Sequence, residues 1–69
     1  MDVKEIGLFI KKRRDFLNLR QQDLSELSGI NTRTIHLIEQ GTGNPSFETL
    51  NKIAEILGLE ITVTVKQIN

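Results

Sequence analysis

Apolar residues recur along this chain in two rhythms. From residue 3 to residue 18 they come at three- and four-residue intervals: Ile6, Phe9, Ile10, then Arg13 or Arg14 in the stripe, then Leu17. That spacing predicts an amphipathic helix over 3–18, with Gly7 a mild cost inside it. Asn18-Leu19-Arg20 breaks the rhythm. Gln21 to Ser28 predicts a short second helix with Leu24 and Leu27 inward, stopped by Gly29, because the residue past a helix end often needs positive φ. After Ile30, Asn31 is placed to cap a third helix, Thr32 to Gln40, with Ile35 and Ile38 inward. Gly41 ends it, and Thr42-Gly43-Asn44-Pro45 is a turn cluster. Ser46 is an N-cap candidate for a fourth helix, Phe47 to Leu57, whose core face is Leu50, Ile53, Ala54 and Leu57; Gly58 terminates it.

The second rhythm has period two. Leu59, Ile61, Val63 and Val65 alternate with Glu60, Thr62, Thr64 and Lys66, which predicts a strand. No other segment reads as a strand, so its backbone groups lack a partner within one copy. The same strand of a second copy, antiparallel across a two-fold axis, supplies one. Burying Leu59, Ile61, Val63 and Val65 on the helices contributes roughly 1.5–3 kcal/mol each as an upper value. A frayed tail is the alternative reading.

Sixty-nine residues suffice for one structural unit. At this size only about 60% of the unfolded surface is buried, so the core is thin and a second copy is a natural support. The expected arrangement is a mostly α body over 1–58 and a dimerisation strand over 59–69. The chain has no cysteine and one histidine, so disulfides and thiolate or histidine zinc sites are excluded, and no metal or cofactor is expected. No apolar run is long enough to span a membrane and the first residues lack a signal-peptide core, so a cytoplasmic protein without membrane contact is expected. No nucleophile–base pair lies in reach of His36, and Gly41-Thr42-Gly43 is no phosphate loop, so an enzyme is not expected.

The formal net charge is zero, yet unevenly spread. Residues 1–20 carry six Lys/Arg against three Asp/Glu, residues 21–45 one against three, and residues 46–69 two against three. The run Lys11-Lys12-Arg13-Arg14 is on its own most simply a solvated helix face.

Two short helices joined through Gly29 have the layout of a helix-turn-helix, whose second helix enters the DNA major groove. The residues add a resemblance. The stretch from Gln21 to Gly41, followed by Asn44-Pro45, resembles the Xre/Cro–C1, or lambda-repressor-like, helix-turn-helix across roughly residues 6–58. Gln21, Leu24, Gly29, Ile35, Ile38, Glu39, Gly41 and Pro45 carry it. Ser25 and Ser28 stand where that family usually has Ala, and Arg20 where it often has a Thr or Asn cap. Asn44-Pro45-Ser46-Phe47-Glu48-Thr49-Leu50, with Gly58-Leu59-Glu60-Ile61-Thr62-Val63 after the helix, resembles HipB-like antitoxins and related stand-alone regulators.

The resemblance implies a four-helix DNA-binding domain that dimerises through a C-terminal β-ribbon. It implies a sequence-specific regulator of transcription, most often a repressor, reading an inverted repeat with recognition helices ~34 Å apart. The alternative is an antitoxin that also binds a HipA-like kinase toxin and autoregulates its operon. Gln21 is implied as a phosphate contact at a helix N-terminus. Thr32, Arg33 and Leu37 match positions facing base edges, where a guanidinium can bond guanine O6 and N7 and an apolar side chain can meet a thymine methyl. Asn31 and Thr34 are implied as phosphate contacts, His36 borders the readout face, and Thr42, Gly43 and Asn44 form a loop that meets the backbone. Glu39 is implied to pair with Arg14 in a structural role, leaving Lys11 or Lys12 as candidates for DNA. With roughly 4–8 phosphates neutralised per dimer, binding should fall steeply with salt.

Overall fold

The computed structural model describes residues 2–67; residues 1, 68 and 69, at the ends of the two expected segments, lie outside them. The described fold consists of α1 (Val3–Phe16), α2 (Gln21–Ser28), α3 (Thr32–Glu39) and α4 (Phe47–Leu57). The expectation of a mostly α, four-helix body holds. Two predicted ends move inward, from residue 18 to Phe16 in α1 and from Gln40 to Glu39 in α3.

Local chemistry sets each start. Asp2 accepts the Glu5 N–H at 2.9 Å, Asn31 that of Thr34 at 2.8 Å, and Ser46 that of Thr49 at 3.1 Å, each occupying a donor that the first helical turn leaves unpaired. Arg20 has no acceptor to offer α2. Instead Asp23 reaches back, accepting the Arg20 N–H at 2.8 Å and its guanidinium at 3.0 and 3.2 Å. The half-exposed Asp23 thus supplies only the back-bonding half of a capping box, and the first-turn N–H groups of α2 receive no side-chain acceptor from Arg20. Asn18, at φ 58°, ends α1 in the left-handed region, where its short polar side chain tolerates what a branched residue would not.

Ile10, Leu24, Ile35, Ile38, Ile53 and Leu57 form the buried core, with Ile6, Leu17, Leu19, Ile30, Leu50, Ile56 and Leu59 packed around it. Helix α3 lies against α1 and α2, and α4 closes the other side against the same two helices. At Gly7 α1 comes so close to α3 that a Cβ would overlap the Ile38 carbonyl oxygen. This glycine is a packing requirement, where the sequence suggested a mild cost.

Two predicted core residues are not in the core. Phe9 is 54% and Leu27 58% exposed. The buried stripe of α1 centres on Ile10 and takes in Ile6, Gly7, Arg13, Arg14 and Leu17; Phe9 sits about 100° round the cylinder. In α2 the inward stripe is Gln21, Leu24, Ser25 and Ser28, and Leu27 falls on the far flank of Leu24.

The predicted strand over 59–66 is also corrected: no strand occurs among the described residues. Leu59 packs on the core and donates its N–H to the Ala54 carbonyl at 2.9 Å, while Val63 and Val65 are each 93% exposed. A strand exists only in a ladder, and a body of four helices offers no edge to pair with.

Candidate nucleic-acid interface

The surface formed by α2, α3 and the loop after α3 carries the residues singled out above. Helix α3 is pinned by Ile35 and Ile38, which are 0% and 3% exposed. With those two inward, helical periodicity turns Arg33 and Leu37 to the opposite side, with His36 and Thr34 flanking them. Arg33 and His36 are exposed; Leu37 and Thr34 are half-buried. Among the described residues Arg33 enters no hydrogen bond or ion pair within the protein, and it is the single cation between residues 21 and 45. Thr32 is exposed in the first turn of α3. Asn31, just before it, is exposed with its Oδ1 committed to the cap, so its Nδ2 remains as the outward donor.

The loop following α3 folds back on the helix. Thr42 donates its N–H and its hydroxyl to the Leu37 carbonyl, at 3.0 and 3.1 Å. Gly41 takes φ 76° and packs on Lys4 of α1, while Gly43 takes φ 80°. Asn44 is exposed. Thr42 is thus first a clip on the C-terminus of α3, with its hydroxyl proton already placed.

Beneath this surface lies a buried ionic cluster. Arg14 is 8% exposed and bonds the Glu39 carboxylate in a fork, Nε to Oε2 at 2.7 Å and Nη2 to Oε1 at 2.8 Å. Arg14 Nη1 donates to the Leu19 carbonyl at 2.7 Å and lies 3.3 Å from Asp15. Gln21 Nε2 donates to Glu39 Oε1 at 3.1 Å. Every buried side-chain polar atom among the described residues has a partner. Burial alone would push the Glu39 carboxyl up; the hydrogen bonds from Arg14 and Gln21, with the charge of Arg14, outweigh it and hold the group below the ordinary carboxylate value. The hydrogen bond to Glu39 raises Arg14 in turn. Asp23, bonded by the Arg20 guanidinium and N–H, is likewise held low.

The structure therefore places Gln21, Arg33, Thr32, Asn31, Thr34, His36, Leu37, Thr42 and Asn44 on or beside one two-helix surface, with Arg14 and Glu39 below it. Lys11 and Lys12 are exposed on α1. The sequence reading missed the two further roles of the pair, at the Leu19 carbonyl and at Gln21, since neither leaves a mark in local spacing. It also missed the bond from the Arg20 N–H back to Asp23 at the start of α2. An acid three residues after the cap position was the available signal.

Residues 10–63 match the helix-turn-helix family, and that match covers most of the chain. The chain belongs to the helix-turn-helix family. It is a DNA-binding transcription regulator of the Xre/Cro–C1 type, a family generally without enzymatic activity. It is 32% identical over 63 residues to the "ImmF control region 10 kDa protein" of Bacillus phage phi105, covering 91% of this chain and 70% of that protein. It is 36% identical over 63 residues to a Methanococcus vannielii protein provisionally named an HTH-type transcriptional regulatory protein; this covers 91% of the chain but 18% of that longer relative. No helix among the described residues is long and apolar enough to cross a membrane.

Proposed function

We propose that this helix-turn-helix protein is a sequence-specific, homodimeric regulator, most simply a repressor, that reads an inverted repeat through α3. The observation that carries the reading is the exposed guanidinium of Arg33, without a partner among the described residues, on a helix whose opposite face is locked into the core. A rigid helix with one free Arg at its N-terminal half is suited to bidentate contact with a guanine edge. Thr32 and Leu37 border Arg33 on the groove side, with His36 beside them. Gln21, Asn31 and Thr34 supply donors to the phosphate backbone, and Asn44 with the amides of the 42–44 loop supplies more. None of these needs positive charge, which suits a chain with zero net charge.

Dimerisation is supported by what the single chain leaves uncovered. An apolar groove of about 420 Å³ runs between α1, α4 and the tail, lined by Ile6, Phe9, Ile10, Leu50, Leu59 and Ile61 among others. Beside it Val63 and Val65 stand almost wholly in water. Two tails paired antiparallel over two such grooves would satisfy both the backbone and the apolar side chains.

Selection of bound DNA from a random pool, with the solution mass measured alongside, tests the proposal. Enrichment of an inverted repeat by a species of twice the chain mass is expected. Absence of any enriched repeat at moderate salt overturns DNA reading, and a monomer at high concentration overturns the ribbon. The antitoxin alternative requires a kinase-type protein to copurify at a fixed ratio.

A further inference from the structure

We propose that Glu39 is a positioning residue for DNA binding, acting through Gln21. The buried Arg14–Glu39 pair grips the start of α2 at two points and so aims its phosphate-binding donors. This inference rests on the reading of Gln21 as a phosphate contact.

The geometry is specific. One end of the pair holds backbone, through Arg14 Nη1 on the Leu19 carbonyl at 2.7 Å, two residues before α2 begins. The other end holds side chain, through Glu39 Oε1 on Gln21 Nε2 at 3.1 Å. The Glu39 side chain is 3% exposed, so water does not compete for that oxygen. A carboxylate held ionised accepts only, so the amide of Gln21 has one orientation available, nitrogen toward Glu39. Its second N–H is then left to donate elsewhere. The N–H groups of the first turn of α2 have no partner inside the helix. Asp23, in that same first turn, is tied to Arg20. An unanchored glutamine would have to freeze its rotamers on reaching DNA, whereas here the ion pair has frozen them beforehand. The coupling also joins three helices, since Arg14 lies on α1, Gln21 on α2 and Glu39 on α3, so the phosphate contact is fixed relative to the recognition helix.

The test is a double-mutant cycle on the full chain, using the DNA site recovered by selection. Removing Arg14 or Glu39 alone strands a buried charge and risks unfolding. The pair is therefore removed together, as Arg14→Met with Glu39→Met, and the fold is checked by thermal melting. Glu39→Gln, which removes the charge but keeps an acceptor oxygen for Arg14 and Gln21, is the conservative second variant, and its fold is checked in the same way. We expect the paired variant to lose affinity about three- to tenfold, the scale of one charge-assisted phosphate contact, and to lose nothing further in a Gln21→Ala background. Side-chain amide NMR gives a readout without DNA: the Gln21 NH₂ signals are expected to be shifted and slow to exchange, and to lose both properties in the Met-pair variant, which leaves no acceptor at position 39. Equal loss of affinity with and without Gln21 would make the pair merely structural and overturn the proposal, as would no loss at all. If Gln21→Ala alone leaves affinity unchanged while the NMR signature is present, the reading of Gln21 as a phosphate contact fails, and this proposal fails with it. If affinity responds to Gln21→Ala but the signature is absent, only the positioning claim fails.

Discussion

Gly7 and Glu39 each have a role set by a distant neighbour. In an exposed helix interior Gly→Ala stabilises by about 1 kcal/mol. At Gly7 the new methyl would meet the Ile38 carbonyl, with Glu39 O also 3.3 Å away, and that obstacle is backbone, which cannot swing aside. Gly7→Ala is therefore expected to destabilise, by about 1–3 kcal/mol, as read by urea unfolding followed by circular dichroism; a stabilised variant would refute the close approach of α1 and α3. Glu39 sets a pH dependence. Its folded pKa lies below the ordinary 4.5, so its contribution to stability is present above that value and lost as pH falls through the lowered one. The stability gap between the natural chain and Glu39→Gln should be constant at neutral pH and close below about 4.5. A gap that persists unchanged in acid would mean the carboxylate is not held by its partners. Glu39→Ala, which strands the guanidinium of Arg14, is expected to cost about 3–5 kcal/mol, close to the whole stability of a chain this small.

At the scale of elements, Asn31 has two duties that substitution can separate. Its Oδ1 caps α3 and its Nδ2 faces outward beside the proposed phosphate path. Asn31→Asp keeps the cap, since a carboxylate serves a helix N-terminus equally well, but replaces the outward donor by a charge that repels phosphate. Stability should stay within about 0.5 kcal/mol while DNA affinity drops. Asn31→Ala should lose about 1 kcal/mol of stability. Equal DNA affinity in the Asp variant would remove Asn31 from the interface. The helices themselves were legible because caps and stops are local: Asn31, Ser46, Gly29 and Gly58 act within a few residues of where they stand. Which flank of a helix is buried was less so. Phe9 and Leu27 fit an apolar stripe by spacing, yet the true stripes centre on Ile10 and on Leu24 with Ser25 and Ser28, because partner helices choose the flank and small serines let them approach. The pairing of Arg14 with Glu39 came from the family pattern; the link from Glu39 to Gln21 spans 18 residues and could be seen only once the chain was folded.

For the whole molecule, the proposed dimer makes the tail and the groove the place where one copy meets another, and hence ties them to what DNA the protein can distinguish. Read by α3 alone, with its one exposed Arg, the proposed site would cover few base pairs, and a neutral chain gains little from general attraction to phosphate. In the proposed dimer specificity depends on doubling: two copies held rigidly would place two α3 helices on successive turns of one face, and the second contact would follow the first at high local concentration. The exposed apolar positions of the tail are the place to break that link without touching the DNA surface. Val63→Asp with Val65→Asp removes no contact from the single folded chain, because both side chains stand in water there. The melting behaviour of the dilute monomer should thus be preserved. In the proposed dimer the same change sets carboxylates against each other across the ribbon, a repulsive cross-strand arrangement. The solution mass should fall to that of one chain, and the melting temperature should lose its dependence on protein concentration. Affinity for the full inverted repeat should drop to that for an isolated half-site, with a salt dependence about half as steep, since about half the phosphates are contacted. A variant that stays dimeric would show that the copies meet through another surface. A natural chain that binds the full repeat no better than a half-site would show that they do not need to meet at all.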